Sequence, residues 1–282
     1  MTKSLTFLLI LITGSFSQAQ INMKDAAYTK TLNDFGTLGL QKIYSSRSLH
    51  RGIFGFGWCS SWEVKLQILS RGRALRQHCG RTDLVQILKR KDFWHLHFSG
   101  EHEIFNRQGQ LIEKPIKNLK LLYSHTGRIS EIQTAGRRYR IEWDEAELQI
   151  RAIASGKWKI TYEYSQGNLL KIQSPEDIMN FRYDTHSNLT DFRSHRGFEK
   201  MTYHLSRDEI QSFESSQSPC RYQFQFRKLS STVLESKVEK ICPGSQIQAL
   251  NFLFRGRKAA DGRLVLNEIK TQGALNDLQN LL

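Results

Sequence analysis

Between about Leu121 and Ile210 one short pattern is written five times, and that repetition limits the possible folds more than any other feature of the chain. The copies are NLKLLYSHTGRISEIQ from Asn118, RYRIEWDEAELQIRAI from Arg138, WKITYEYSQGNLLKIQ from Trp158, IMNFRYDTHSNLTDFR from Ile178 and FEKMTYHLSRDEIQSF from Phe198. Their aromatic anchors, Tyr123, Trp143, Tyr164, Tyr183 and Tyr203, are 20, 21, 19 and 20 residues apart. Such a period is the length of two strands and two turns, so each copy is one supersecondary unit. Before each anchor apolar residues recur at every second position, as in Leu119, Leu121, Tyr123 or Ile160, Tyr162, Tyr164. Period two places them on one face of a strand. The residues after the anchor are mostly Gly, Ser, Asn, Asp, His or Thr, which favour tight turns. A return strand follows, alternating as Ile129, Ile132 or Leu148, Ile150. A lone hairpin is marginal in water, whereas stacked hairpins share one apolar face. The fold class expected is therefore all-β: a tandem antiparallel β-hairpin array.

The chain begins with Lys3, the apolar run Leu5–Ile12, and small residues at Ser17-Gln18-Ala19. This reads as a cleavable secretory signal over residues 1–19, too short to span a bilayer as a helix. No cysteine follows the cut to accept a lipid, and no later segment is long and apolar enough for a membrane span. Export predicts a periplasmic, outer-envelope or extracellular protein. In that compartment Cys59, Cys79, Cys220 and Cys242 are expected as two disulfides. Three connectivities are possible; Cys59–Cys79 with Cys220–Cys242 is favoured because each pair closes a modest loop. No CxxC or CxH spacing supports zinc at these cysteines.

The repeat resembles the YD-repeat (Rhs-type) family. The literal dipeptide stands at Tyr183-Asp184, with Trp143-Asp144 a near match; the other anchors are followed by Ser124, Ser165 and His204. The turn glycine is present as Gly127 and Gly167, is Ser187 in the fourth copy, and is absent from the second and fifth. Upstream, Tyr44-Ser45-Ser46-Arg47 followed by Gly55-Phe56-Gly57-Trp58 is similar to the segment that precedes the repeats in Rhs-type proteins. The resemblance covers roughly residues 21–215. It implies an N-terminal Rhs-associated β domain over 20–115, hairpin repeats over 116–215, and C-terminal hairpins with a short tail over 216–282. Tyr222, Phe224 and Phe226 alternate as a strand that Val233–Ile241 can pair with. A last hairpin from Leu250–Phe254 to Leu264–Ile269 turns at Ala260-Asp261-Gly262, and Ala274–Leu282 can form a short helix that caps the open end or frays. Longer relatives wind many repeats into a shell around a C-terminal toxin; this chain has too few units for that. The resemblance implies a stand-alone scaffold that recognises carbohydrate or a cell surface. An accessory or remnant of an Rhs-type toxin system is an alternative.

Chemistry-bearing residues are sparse. His95 and His97 share one face of a strand and His102 follows a turn at Gly100, an arrangement some zinc enzymes use. The competing reading, a polar outer face opposite Trp94, Leu96 and Phe98, is preferred, so no metal, no cofactor and no catalytic residue is assigned. A small metal-dependent hydrolase remains only as a further alternative. The acid groups Glu101/Glu103 and Asp144/Glu145/Glu147 fall in predicted turns, and no GxSxG occurs. The chain has 41 Lys and Arg against 27 Asp and Glu, which leaves about +13 after loss of Lys3. Clusters lie at Arg71, Arg73, Arg76 and Arg81, at Lys89-Arg90-Lys91, and at Arg137, Arg138 and Arg140. Such an excess attracts polyanions. The export signal argues against nucleic acid and for anionic envelope polymers. The open end of a hairpin array further predicts self-association or capture of a partner strand.

Overall fold

A computed structural model of the protein describes residues 9–14, 17–33, 40–70, 72–134, 136–146, 148–258 and 264–272. The start of the expected signal sequence, Arg71, Glu147, the turn at Ala260-Asp261-Gly262 and the tail from Ala274 lie outside them. The protein is all-β. Among the described residues the one helical element is a 3-10 turn at Pro115–Lys117. The chain divides into two compact units, Thr31–Met179 and Met1–Lys30 with Asn180–Leu282.

In the first unit the strands Phe93–Phe98, Glu101–Phe105, Leu111–Lys114, Leu119–Tyr123, Ile129–Thr134, Arg137–Trp143, Ile150–Ser155, Trp158–Ser165 and Asn168–Gln173 each pair antiparallel with the next. One face is apolar and covered: Leu121, Ile132, Ile141, Ile153, Tyr162 and Ile172 are all buried. The pairs Leu121 with Ile132, Ile141 with Ile153 and Tyr162 with Ile172 lie directly opposite across their hairpins. The return strands depart from simple alternation. Tyr123 faces Ile129 while Leu122 faces Glu131, so Ser130 is an extra residue. The same shift falls one residue before Trp143, Tyr164, Tyr183 and Tyr203. A bulge of this kind twists the hairpin and moves the next inward residue by one position. Inward residues on the return strands are therefore three apart, as in Ile129 and Ile132, Ile150 and Ile153, or Ile210 and Phe213. Leu148, read from the sequence as part of this alternation, is exposed, because it precedes the strand.

The anchors have a second shared role. The Tyr123 hydroxyl donates to the Leu111 carbonyl at 2.7 Å, Trp143 Nε1–H to Ile129 at 2.8 Å, Tyr164 to Ile150 at 2.8 Å and Tyr203 to Leu189 at 3.0 Å. Each acceptor opens the return strand of the preceding hairpin, so the polar tip of each anchor ties its unit to the one before. Burial raises the Tyr123 phenol well above its ordinary value, which keeps it a donor. The residue after the anchor closes the turn. Asp144 Oδ1 accepts the N–H groups of Leu148 and Gln149, and Asp184 Oδ1 those of His186 and Asn188. Asn106 does the same for Gln108 and Gln110 after Phe105, and the bulge recurs there too. The hairpin geometry thus starts one unit before the first anchor visible in the sequence. Removing one such tie should have a modest, measurable effect. Tyr203→Phe should lower unfolding stability by about 1 kcal/mol in urea titration, the usual net worth of one hydrogen bond. Leu205→Ala, at an exposed turn position, should leave the midpoint unchanged.

In the second unit, Ser218–Lys228, Val233–Ile241, Gln248–Lys258 and Leu264–Gln272 follow the Tyr183 and Tyr203 hairpins as longer antiparallel strands. Leu9–Gly14, the apolar run of the expected signal, pairs antiparallel with Ser17–Asn22. The segment that follows lies on the inner face of this unit. Ile21, Met23, Tyr28 and Lys30 are buried, the Ser236 hydroxyl donates to the Met23 carbonyl at 2.6 Å, and the Ile210 N–H donates to Ala26 at 3.2 Å.

Disulfides join Cys59 to Cys79 and Cys220 to Cys242, with no free cysteine. Among the described residues no helix is long and apolar enough to cross a membrane. The disulfides are compatible with a periplasmic or extracellular location.

Candidate functional site

The site is built in the Thr31–Met179 unit by the loop Arg51–Trp58, which crosses the inner face of the hairpins. Phe54 is fully buried against Tyr162, ring centroids 5.1 Å apart, and the buried Lys42 ammonium lies 5.0 Å and 5.3 Å from these two rings. The backbone seats the loop: Phe56 N–H donates to the Gly167 carbonyl at 2.9 Å and Ile150 N–H to the Ile53 carbonyl at 3.0 Å. Both motif glycines are required by space as well as by conformation. Gly55 has φ +101° and a side chain there would lie 2.6 Å from the Gly167 oxygen; Gly57 has φ +75° and a side chain there would lie 2.6 Å from the Tyr44 ring. Trp58 is buried beside Tyr44, centroids 5.4 Å apart, while Arg47 stays on the surface. Glu63 holds the loop from within, accepting the N–H groups of Ile53 at 2.8 Å and Ser60 at 2.7 Å.

Beside this loop opens a cleft of about 590 Å³. Arg51, Lys65, Arg81 and Arg128 converge on it, with His50, His78 and Gln149. Among the described residues its acids are Glu63, which accepts backbone N–H groups through both oxygens and lies 3.4 Å from His50 Nε2, and Asp144, which accepts two through Oδ1. Among the described residues no carboxylate partner stands within ion-pair distance of Arg51, Lys65 or Arg81. The Arg128 guanidinium lies 5.4 Å from the Trp143 ring, which stiffens it in a π contact while leaving its donors available. Gln149 Nε2 donates to the Gly167 carbonyl at 3.1 Å and braces the cleft wall. The His78 ring is held below its ordinary pKa, first by burial and then by Arg76 and Lys114, against a hydrogen-bonding contact with the Ser60 carbonyl at 3.1 Å. The arrangement offers charge-assisted donors to an anion.

No family model matches this chain, and no curated protein matches it. Function therefore rests on the geometry.

The other candidate residues are placed as follows. The anchors Tyr123, Trp143, Tyr164 and Tyr203 serve as ties between hairpins. Glu101 and Glu103 lie on a strand, not in a turn: the chain turns at Ser99-Gly100, and Glu101 already pairs with Phe98. Glu103 is buried, and both its oxygens meet Arg76, at 2.9 Å each, while Lys114 is 3.0 Å away. Arg76 thus leaves the basic surface cluster for an interior ion pair. Glu103 and Lys114 stand where later hairpins carry apolar pairs such as Leu121 and Ile132.

His95, His97 and His102 share the outer face of the strands Phe93–Phe98 and Glu101–Phe105. His97 is directly opposite His102, and Leu96 points inward. His95 Nδ1 is 3.2 Å from His102 Nε2, and the His97 and His102 rings stack with centroids 4.4 Å apart. Partial burial comes first in lowering the pKa of both His95 and His102; positive charge follows, from His102, Arg90 and His97 at His95 and from His97 and Arg90 at His102. Two further groups, Cys59 with His78 and Cys79, and Cys59 with His50 and Glu63, gather ligand atoms closely. Their sulfurs are in a disulfide and present no thiolate to a metal.

Arg51, Lys65, Arg128 and Gln149 were not singled out by the sequence. They come from separate strands and loops, and no local spacing links them.

Proposed function

We propose that this protein is an exported, non-enzymatic β-hairpin scaffold of the YD-repeat (Rhs-type) kind that binds an anionic carbohydrate of the cell envelope. The observation that carries this reading is the cleft, where Arg51, Lys65, Arg81 and Arg128 converge and outnumber the acids lining it among the described residues, Glu63 and Asp144. Uronate, phosphate or sulfate groups on a glycan match guanidinium donors in charge and in planar or forked geometry. The net positive charge adds long-range attraction to such polymers. The bulged, anchor-tied hairpins support a rigid scaffold, and the two disulfides suit an oxidising compartment. Cleavage after Ala19 removes Leu9–Gly14 and retains Tyr28 and Lys30, which pack in the second unit.

The test is calorimetric titration of the mature chain with a defined acidic oligosaccharide, for example an oligouronate. Arg51→Ala combined with Arg128→Ala should weaken binding by about tenfold or more, equivalent to roughly 1.4 kcal/mol. Affinity should fall as salt rises. Equal binding by the double variant and the parent would reject the cleft as the site. Arg138→Ala, on an exposed strand position outside the cleft, should have no effect.

A further inference from the structure

On the outer face of the first hairpins, away from the basic cleft, we propose a binding site for a divalent transition-metal ion formed by His95, His102 and His97. Zinc–imidazole bonds are about 2.0–2.1 Å long, so two nitrogens on one tetrahedral ion stand roughly 3.3–3.4 Å apart. His95 Nδ1 and His102 Nε2 are already 3.2 Å apart. In the metal-free protein that contact is one neutral imidazole donating to the other. An ion enters when the donating ring takes its other tautomer and both facing nitrogens present lone pairs; no net proton is released.

The backbone fixes this approach. His97 and His102 are cross-strand partners, and His95 lies two residues before His97 on the same face. Ring orientation is thereby restrained from two strands rather than left to a flexible loop. His97 supplies the third donor. Its ring stacks on His102 at 11° and is exposed, so it has room to turn about its side-chain torsions towards the same ion. Two charged neighbours act on the site in opposite senses: Glu113 favours a cation beside His95 and His102, and Arg90 opposes it. Imidazole donors without thiolate select zinc, nickel or copper over calcium or magnesium. The cysteines do not compete, because both pairs are oxidised.

The experiment uses the mature, disulfide-bonded chain, stripped with chelator, and titrates Zn²⁺, Ni²⁺ and Cu²⁺ each alone by calorimetry at neutral pH. The expected result is one ion per chain. His95→Ala and His102→Ala should each weaken binding by about tenfold or more. His97→Ala should weaken it less, since its donor must reorient. His186→Ala, at an exposed turn elsewhere, should leave it unchanged. Circular dichroism of each variant guards against loss of fold, and His102→Gln, which keeps a polar side chain on the strand, provides a second variant at the same position. Ring-proton NMR gives an independent readout: sub-stoichiometric Ni²⁺ or Cu²⁺ should broaden His95 and His102 before any other histidine. Absence of binding by the parent, or affinity unchanged in both His95→Ala and His102→Ala, would overturn the proposal.

Discussion

Glu103→Gln should destabilise the protein by about 3–5 kcal/mol, the usual result of removing one partner from a buried ion pair. The Glu103 carboxylate receives two hydrogen bonds from Arg76 and a contact from Lys114, and the side chains of all three are less than a tenth exposed. Glutamine keeps the shape but leaves two interior cations without their shared counter-charge. Urea unfolding followed by tryptophan fluorescence reads the change. Replacing Arg76, Glu103 and Lys114 together by apolar residues should recover most of the loss, because later hairpins carry apolar pairs at the equivalent positions.

The same triad sets part of the acid sensitivity. Burial alone would raise the Glu103 pKa, but hydrogen bonds from Arg76 and the charges of Lys114 and Arg76 outweigh it, and the net shift is downward. A carboxylate depressed on folding contributes stability that is fully present above its ordinary value of 4.5 and is lost as pH falls through the lower folded value. The parent should therefore lose stability below about pH 4.5 more steeply than Glu103→Gln. Parallel acid profiles for the two proteins would show that the triad contributes nothing to that slope.

Glu199→Ala should have an effect of similar size, about 3–5 kcal/mol, in the second unit. Lys30 is fully buried, with its ammonium 2.5 Å from Glu199 Oε1 and 4.0 Å from the centre of the Phe192 ring. The Tyr28 hydroxyl donates to the other oxygen at 2.7 Å. Burial lowers the Lys30 pKa, and Glu199 opposes that shift. Without Glu199 an ammonium remains in an aromatic interior with its main counter-charge gone. The N-terminal segment should then detach more readily, which hydrogen exchange at Tyr28 and Lys30 would detect as faster than exchange in the parent. Lys30→Met with Glu199→Leu should restore most of the stability. Unchanged exchange and an unchanged urea midpoint in Glu199→Ala would contradict this account of how the segment is held.

The hairpin array was legible because its signals are local: an aromatic every 19 to 21 residues, apolar alternation before it and turn formers after it. The bulge was not, since an extra residue such as Ser130 or Thr190 looks like noise in a period-two pattern. Only pairing across strands reveals that Ile129 and Ile132 both face inward. The segment Glu103–Gly109 reads in the sequence as a strand turning at Gln108-Gly109, and the structure turns there; it was not counted among the repeats because its anchor, Phe105, lacks the polar tip the other anchors share. Glu103 reads as a surface acid until Arg76, 27 residues upstream, is brought against it. The cleft was least legible. Arg51, Lys65, Arg81 and Arg128 come from separate turns and strands, and only the folded chain brings them to one cleft. In the sequence the same loop showed two glycines and a tryptophan, which gave its shape but not its neighbours.

The most direct test of the cleft as a glycan site compares two ligands that differ only in charge. The melting temperature of the mature chain would be measured with an oligouronate and with its neutral, carboxyl-reduced counterpart, in low and moderate salt. The account predicts a rise with the acidic sugar that shrinks as salt increases and disappears in Arg51→Ala with Arg128→Ala. Equal response to both sugars, or a rise that survives in the double variant, would contradict it.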